Sequence, residues 1–311
     1  MLVVCPNPTI DRQVFVGELL PGSVSRSHRN RSLPGGKPVD VLRAMKAHRW
    51  QPELLVLLPE QDEDWVARLA AEQIQAEVWR VPGQVRETIV VYEDSGRATV
   101  VNGPGQTVSP GDWAAFAEQV RQRATGQDWV VVSGSFPPGV TGDDVARLVS
   151  DLRAQGCRVA LDCGPSWLAA ALPAAPDLVT PNLAEATQAL SGQAGTESVD
   201  AHAGAGQQAV QAAETLVDRG IGLAVVTAGS QGAAWAGAGG SGLVAAVPVE
   251  AVNPIGAGDA FLGGLMARLA TGSSVADAVA WAVATASSAV TSWVPGLADA
   301  DQVTELRRRL P

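Results

Sequence analysis

Short β-rich runs alternate along this chain with longer stretches of helical periodicity, and no other feature narrows its folding options as much. LLVLLP (54–59) precedes DWVARLAAEQI, WVVVSGS (129–135) precedes DDVARLVSDLRAQ, and CRVALD (157–162) precedes SWLAAAL. Strand, helix and strand repeated in this way predict a mostly parallel sheet with helices on both faces. Further strands are expected at DLVTPN (177–182) and GLAVVTAG (222–229), whose unbroken apolar character is what two covered faces require. In such sheets function gathers at the carboxyl ends of the strands. With 311 residues, 46% of them apolar, the chain can fill one large α/β domain or two smaller ones.

Two segments break the alternation. Residues 12–33 and 86–108, with QVFVGEL and RETIVVYEDSGRATVV, show period-two patterning around Gly and Asp-Ser-Gly turns, which predicts hairpin strands with no helix between them. These can form a small separate sheet over the main one. GQAGTESVDAHAGAGQ (192–207) reads as a mobile small-residue insert and AGAGGSG (236–242) as a hairpin turn. The start, MLVVCPNPTID, lacks a basic region and reads as a first strand, not an export signal. The uncharged run 278–294 carries Ser and Thr and is of marginal length for a membrane span, so a buried helix is expected there.

Charge bounds the partners. The 22 basic and 32 acidic side chains leave a formal charge of −10, which argues against general affinity for nucleic acid or an anionic membrane. An anionic ligand must therefore find a local positive site. Cys5, Cys157 and Cys163 are too few for a secreted disulfide framework and stand in no metal-ligand spacing with His28, His48 or His202, so reduced, buried thiols in a cytoplasm are expected. Only Lys37 and Lys46 are lysines; every other basic residue is arginine. A compact ammonium kept in LPGGKPVDVLR (33–43) points to a site that needs one, in a segment where Arg26, Arg29, Arg31, Arg43 and Arg49 outweigh Asp40. The same pattern also fits a solvated loop and helix face.

That glycine loop is no Walker A motif, because Arg31 occupies the first glycine's place and Pro38 the place of the metal-binding Ser or Thr. Nor is there a dinucleotide fingerprint. GAGDAF (256–261) closes on Phe261, and GSGLVA (240–245) runs into AVPVE, a strand pattern. The strongest chemical motif is NPIGAGDAFLGGLMARL (253–269), where a strand, VAAVPVEAV, is expected to end, glycines turn the chain and an apolar-periodic helix begins. Amides of Ala257, Gly258 and Asp259 at the positive end of that helix make an anion site. A carboxylate beside it suits phosphoryl transfer, accepting a hydroxyl proton while the amides stabilise the moving group. Taken alone, these residues favour the plainer reading, an N-cap Asp after a flexible turn.

Several ordered motifs then carry a resemblance. NPTIDRQVFVGELLPGSVSRS, GGKPVDVLR, RETIVVYEDSGRATVVNGPG, SGSFPPGV (133–140), LVTPNLAEA (178–186), VVTAGSQGA (225–233) and NPIGAGDAF resemble, in that order, the motifs of the ribokinase-type (PfkB) carbohydrate kinases. The texture is that of the 1-phosphofructokinase and tagatose-6-phosphate kinase branch. The resemblance implies a ribokinase-like three-layer α/β/α fold with a mostly parallel central sheet and a small β-sheet lid, as a single domain over 1–311. The lid would comprise about 12–33 and 86–108. Asp259 would be the catalytic base, with Gly256, Ala257 and Gly258 as the anion hole. Asp11, Gly35, Gly36, Lys37, Asp40, Arg86, Ser135 and Asp162 would hold the acceptor. Asn182, Thr227, Gly229 and Gly232 would lie along ATP, and Asn182 with Glu185 would organise Mg²⁺ through water. The implied reaction is transfer from ATP to a sugar phosphate, fructose 1-phosphate first, with a homodimer formed through the lid.

Four departures bear on that expectation. Pro38 replaces a family glycine, removing an N–H donor. Asp40 replaces an asparagine and, when ionised, can only accept hydrogen bonds and repels a phosphate. Thr180 stands where this branch has Lys, and the lid's R-x-N-x-K is here Arg86, Thr88 and Val90. A proline and an acid in a first helical turn, with Arg43 one turn on to pair with Asp40, also simply start a helix well. An unphosphorylated sugar or nucleoside as acceptor, or a catalytically weak sugar-binding or regulatory protein, are the alternatives these departures favour.

Overall fold

The computed structural model describes residues 1–192 and 204–311. The chain opens with β1 (Leu2–Cys5), β2 (Thr9–Val16), β3 (Ser27–Gly35), α1 (Lys37–Lys46), β4 (Glu53–Gln61), α2 (Glu63–Ala71) and β5 (Ala76–Gln84). Next come β6 (Arg86–Glu93), β7 (Ala98–Asn102), α3 (Pro110–Ala124), β8 (Trp129–Ser133), α4 (Gly142–Ala154), β9 (Arg158–Asp162) and α5 (Pro165–Ala171). After these follow β10 (Leu178–Val179), α6 (Leu183–Ser191), α7 (Ala205–Asp218), β11 (Leu223–Thr227), β12 (Ala233–Gly237) and β13 (Gly240–Val244). Three helices close the chain: α8 (Ala257–Leu269), α9 (Val275–Ala289) and α10 (Ala300–Arg308).

The main sheet has the order β13-β12-β11-β10-β9-β8-β1-β4-β5, parallel from β11 to β5 and finished by the antiparallel β12 and β13. Along β1 and β4 the side chains alternate between two cores. Leu2, Val4, Leu55 and Leu57 pack with Trp113, Phe116, Leu148 and Leu216 of the helices on one face. Val3, Cys5, Val56 and Leu58 pack with Met45, Trp65, Phe261 and Val279 on the other. Both faces are dry, which is why these strands read as unbroken apolar runs. The result is the three-layer arrangement expected from the alternation.

The segments that broke the pattern form a second sheet of order β3-β2-β6-β7, in which β2 and β6 run parallel between antiparallel neighbours. Its inner face presents Phe15, Val90 and Tyr92 to Ile255 and Trp293 of the main body. Trp65 on α2 anchors it further, its indole N–H donating to the Thr9 carbonyl at 3.0 Å.

Some elements end differently from the sequence expectation. The strand expected over VAAVPVEAV stops at Val244, and the chain from there to Gly256 is irregular. Pro248 has no N–H to offer a ladder, and the loop instead turns toward α8. DLVTPN contributes only Leu178–Val179 to the sheet. The insert expected at 192–207 falls largely on 193–203, outside the described residues, and 205–207 already belong to α7. The uncharged run 278–294 forms most of α9 and then leaves it, and no helix among the described residues is long and apolar enough to cross a membrane.

Candidate active site

Sequence order runs away from β1 in both directions, to β4 and β5 on one side and to β8 and β9 on the other, so the crevice at the carboxyl ends of β1 and β8 is the topological switch point of the sheet. Asn7, just beyond β1, bridges it: its Nδ2 donates to Ser135 Oγ at 3.0 Å. Arg86, at the start of β6, donates to the Asn7 carbonyl at 3.2 Å and to the Gly103 carbonyl at 3.4 Å, tying the small sheet to the same rim. Asp162 ends β9 and accepts from Ser133 Oγ at 3.1 Å and from Lys37 Nζ at 3.3 Å.

Gly36, with φ of 113°, turns the chain from β3 into α1, which starts with Lys37 and Pro38. Gly35 permits a close approach, because a Cβ there would sit 2.3 Å from the Asp11 carboxyl. Asp11, Gly35, Gly36, Lys37, Arg86, Ser135 and Asp162 therefore gather at one rim.

Across the crevice, Gly256 caps α8 with φ of 81°, and a Cβ on it would strike Pro295 and Gly296 at 2.8 Å. A Cβ on Gly258 would meet nothing within 4 Å and the residue is exposed, so the first turn of α8 is open there, while the Ala257 amide bonds back to the Pro254 carbonyl at 3.4 Å. Asp259, in the first turn of α8, is buried. Burial raises its carboxyl well above the usual range; Lys37 opposes the rise, while Asp40, Asp162 and Glu185 add to it. Lys37 is held in its charged form in spite of desolvation, by Asp162 first and then by Asp259 and Glu185.

Asp40 is nearly inaccessible and pairs with Arg43 at 2.6 Å. Arg43, itself 1% exposed, also grips Glu72 at 2.6 and 2.8 Å and donates to the Pro34 carbonyl at 2.7 Å. The helix-start reading of this segment thus holds: proline opens the helix and Arg43 answers Asp40. The other side of Asp40 lies within hydrogen-bonding reach of Asp259. Burial pushes Asp40 up to about 6 against the pull of Arg43, and burial with Asp40 pushes Asp11 up to about 7. Asp40 is therefore neither at the solvent side of its helix nor a bare repulsive charge.

Asn182 and Glu185 form a reciprocal cap on α6, Asn182 Oδ1 accepting from the Glu185 amide at 2.9 Å and Glu185 Oε2 from the Asn182 amide at 2.8 Å. Thr227 pairs with Asn182 across a parallel bridge. Gly232, with φ of 97°, is demanded by the main chain of β13, since a Cβ there would lie 2.0 Å from the Val244 carbonyl oxygen. Gly229 opens the short turn before it. Among the described residues no cluster of three metal-ligating side chains is present. Asn182 and Glu185, one amide and one carboxylate, would suit Mg²⁺, which keeps several waters and takes one or two carboxylates together with substrate phosphates.

Sequence reasoning missed Asn7, Gln13, Tyr92, Asn253 and Trp293. Asn7 and Asn253 each precede a proline, a turn signal, and Tyr92 is the chain's only tyrosine. Nothing local marks the contacts they make.

The pfkB family carbohydrate kinase profile matches residues 2–296. The 1-phosphofructokinase of Escherichia coli K12 is 29% identical over 305 residues, covering 98% of this chain and 95% of its own. The crystal structure of phosphofructokinase-2 from Escherichia coli in complex with fructose-6-phosphate superposes with a TM-score of 0.87 at 25% identity, over 99% of this chain and 98% of that one. Ribokinase from Thermotoga maritima shares the fold, with a TM-score of 0.75 at 16% identity over 99% of each chain.

Proposed function

Because the chain belongs to the pfkB family of carbohydrate kinases, we propose that it transfers the γ-phosphoryl group of ATP to a hydroxyl of a sugar phosphate, with fructose 1-phosphate the acceptor. The observation that carries this reading is the start of α8, where the exposed Gly258 at the positive end of the helix lies beside the buried carboxyl of Asp259, with Lys37 within electrostatic reach. In the proposed reaction the acceptor oxygen attacks the γ-phosphorus, the bond to the β-phosphate oxygen breaks and ADP leaves. Asp259 takes the hydroxyl proton, and the amides and Lys37 stabilise charge on the transferring group. Asp11 and Asp162 would accept from acceptor hydroxyls, and Gly35, Gly36, Ser135 and Arg86 would shape the rim around them.

Thr227, Gly229 and Gly232 would border the nucleotide. Asn182 and Glu185 would hold Mg²⁺ through water, and the ion when bound supplies neutralising charge at the phosphates. The small sheet would cover the acceptor and exclude water. The exposed Ile89 and Val101, opposite each other on the outer face of that sheet, support self-association of the lids into a dimer. Buried, unpaired cysteines accord with a cytoplasmic enzyme.

ADP release from Mg-ATP across a panel of sugars, sugar phosphates and nucleosides tests this reading. Asp259→Asn is expected to lose on the order of 10²–10⁴ in turnover while remaining folded. No turnover on any member, or equal turnover by the variant, would overturn the assignment. An unphosphorylated sugar is the second reading. It is favoured by Val90, which packs in the aromatic cluster where the branch has Lys, and by Arg86, whose donors are engaged by carbonyls. Preferential turnover of free hexoses in the same panel would select it.

A further inference from the structure

The inner face of the small sheet serves two places at once. Along β2 the inward residues are Thr9, Asp11, Gln13 and Phe15, matched in register by Arg86, Thr88, Val90 and Tyr92 of β6. The first part of that ladder lies at the acceptor rim. The second part lies against the loop that leads into α8.

The contact there is polar as well as apolar. The Tyr92 hydroxyl donates to Asn253 Oδ1 at 3.0 Å, and the same oxygen accepts the Ile255 amide at 3.0 Å. Asn253 has no exposed surface. Gln13 Nε2 donates to the Trp293 carbonyl at 2.9 Å. Tyr92 stacks on Phe15 at 5.1 Å, and both rings meet Trp293 edge-on. Asn253 Oδ1 thus holds the turn at Ile255, directly before Gly256 and the first turn of α8. One of its two donors comes from the small sheet.

We propose that Tyr92 is a positioning residue for phosphoryl transfer, aligning the Ile255–Asp259 loop through Asn253 only while the small sheet is seated on the main body. The inference rests on the kinase reading above. Removing the hydroxyl leaves a buried carbonyl oxygen with one donor in place of two, and the loop gains a second conformation at little cost. Because β2 carries both Asp11 and the Phe15 contact to Trp293, seating the sheet over an acceptor and aligning the anion hole become one event. That coupling would restrain transfer to water when no acceptor is present.

Tyr92→Phe keeps the ring and its stacking. It is expected to lower kcat about tenfold, the size of one hydrogen bond lost at the transition state, with the KM values for ATP and acceptor within about twofold. Amide hydrogen exchange over residues 254–259 is expected to accelerate, while exchange in α4 stays as in the parent protein. Leu148→Ala, in the core on the face of the main sheet away from α8, is expected to lower the melting temperature and leave kcat within about twofold. Unchanged exchange at 254–259 in Tyr92→Phe overturns the proposal whether or not the protein turns over any acceptor, so its failure is separable from failure of the kinase reading. An unchanged kcat in an active enzyme, or a raised acceptor KM at unchanged kcat, overturns it as well.

Discussion

Asp40 has an arginine on one side and another carboxyl on the other, and its effect depends on which neighbour dominates. Arg43 at 2.6 Å favours the ionised form, while burial works against it. Once ionised, Asp40 raises the Asp259 carboxyl further, on top of burial and the charges of Asp162 and Glu185, with Lys37 opposing. As the proposed general base, Asp259 must be deprotonated, so kcat is expected to fall as the pH drops through that raised pKa. Asp40→Asn removes one raising charge and supplies an N–H that favours the ionised base. The acid limb of the kcat profile is therefore expected to move to lower pH. An unmoved limb would mean that Asp40 does not act on Asp259. Arg43 retains Glu72 in this variant, so the buried cation is not stranded.

At the scale of elements, the crossing of α1 and α8 brings these acids together. The two helices approach closely at Gly263, where a Cβ would sit 2.6 Å from the Val41 carbonyl oxygen and 2.7 Å from the Ala44 Cβ. Val41 follows Asp40, and Gly263 lies one turn beyond Asp259, so any shift of the crossing moves one carboxyl against the other. Gly263→Ala is expected to cost about 1–3 kcal/mol in overpacking, offset by about 1 kcal/mol of helix propensity, and to lower kcat with α8 displaced. Urea unfolding and steady-state kinetics check the two effects. A net stabilisation by the full propensity gain would show that the helices do not meet there.

For the whole molecule, the outer surface of the small sheet carries exposed apolar side chains beside the Arg12–Glu87 ion pair. Ile89 faces Val101 across β6 and β7, and Val101 is 58% exposed. A dimer through this face is expected to appear as twice the 32.0 kDa chain mass in light scattering, and Val101→Glu to dissociate it without unfolding the protein. A monomer at all concentrations would remove this part of the proposal. Such a dimer would also hold the sheet in its seated position, and with it the contact between Tyr92 and Asn253.

The sequence by itself determined the layered α/β class, because unbroken apolar strands followed by helices of 3.6 periodicity bury both faces of a sheet in only a few ways. It also marked the glycine turn into α8, since Gly256, Gly258 and Asp259 are local to one turn, and the helix-starting role of Pro38, Asp40 and Arg43, which lie within one helix. It could not show that Glu72 completes the Arg43 network, that Asn7 spans the crevice to Ser135, or that Tyr92 supports the turn before Gly256. These pairs are separated by 29, 128 and 161 residues respectively. They meet only because the sheet order and the two helix layers bring them together, and no local periodicity or turn chemistry encodes a partner at such a distance. Val90 shows the same division: a missing lysine by sequence, it is in the structure a wall of the aromatic cluster that seats the small sheet.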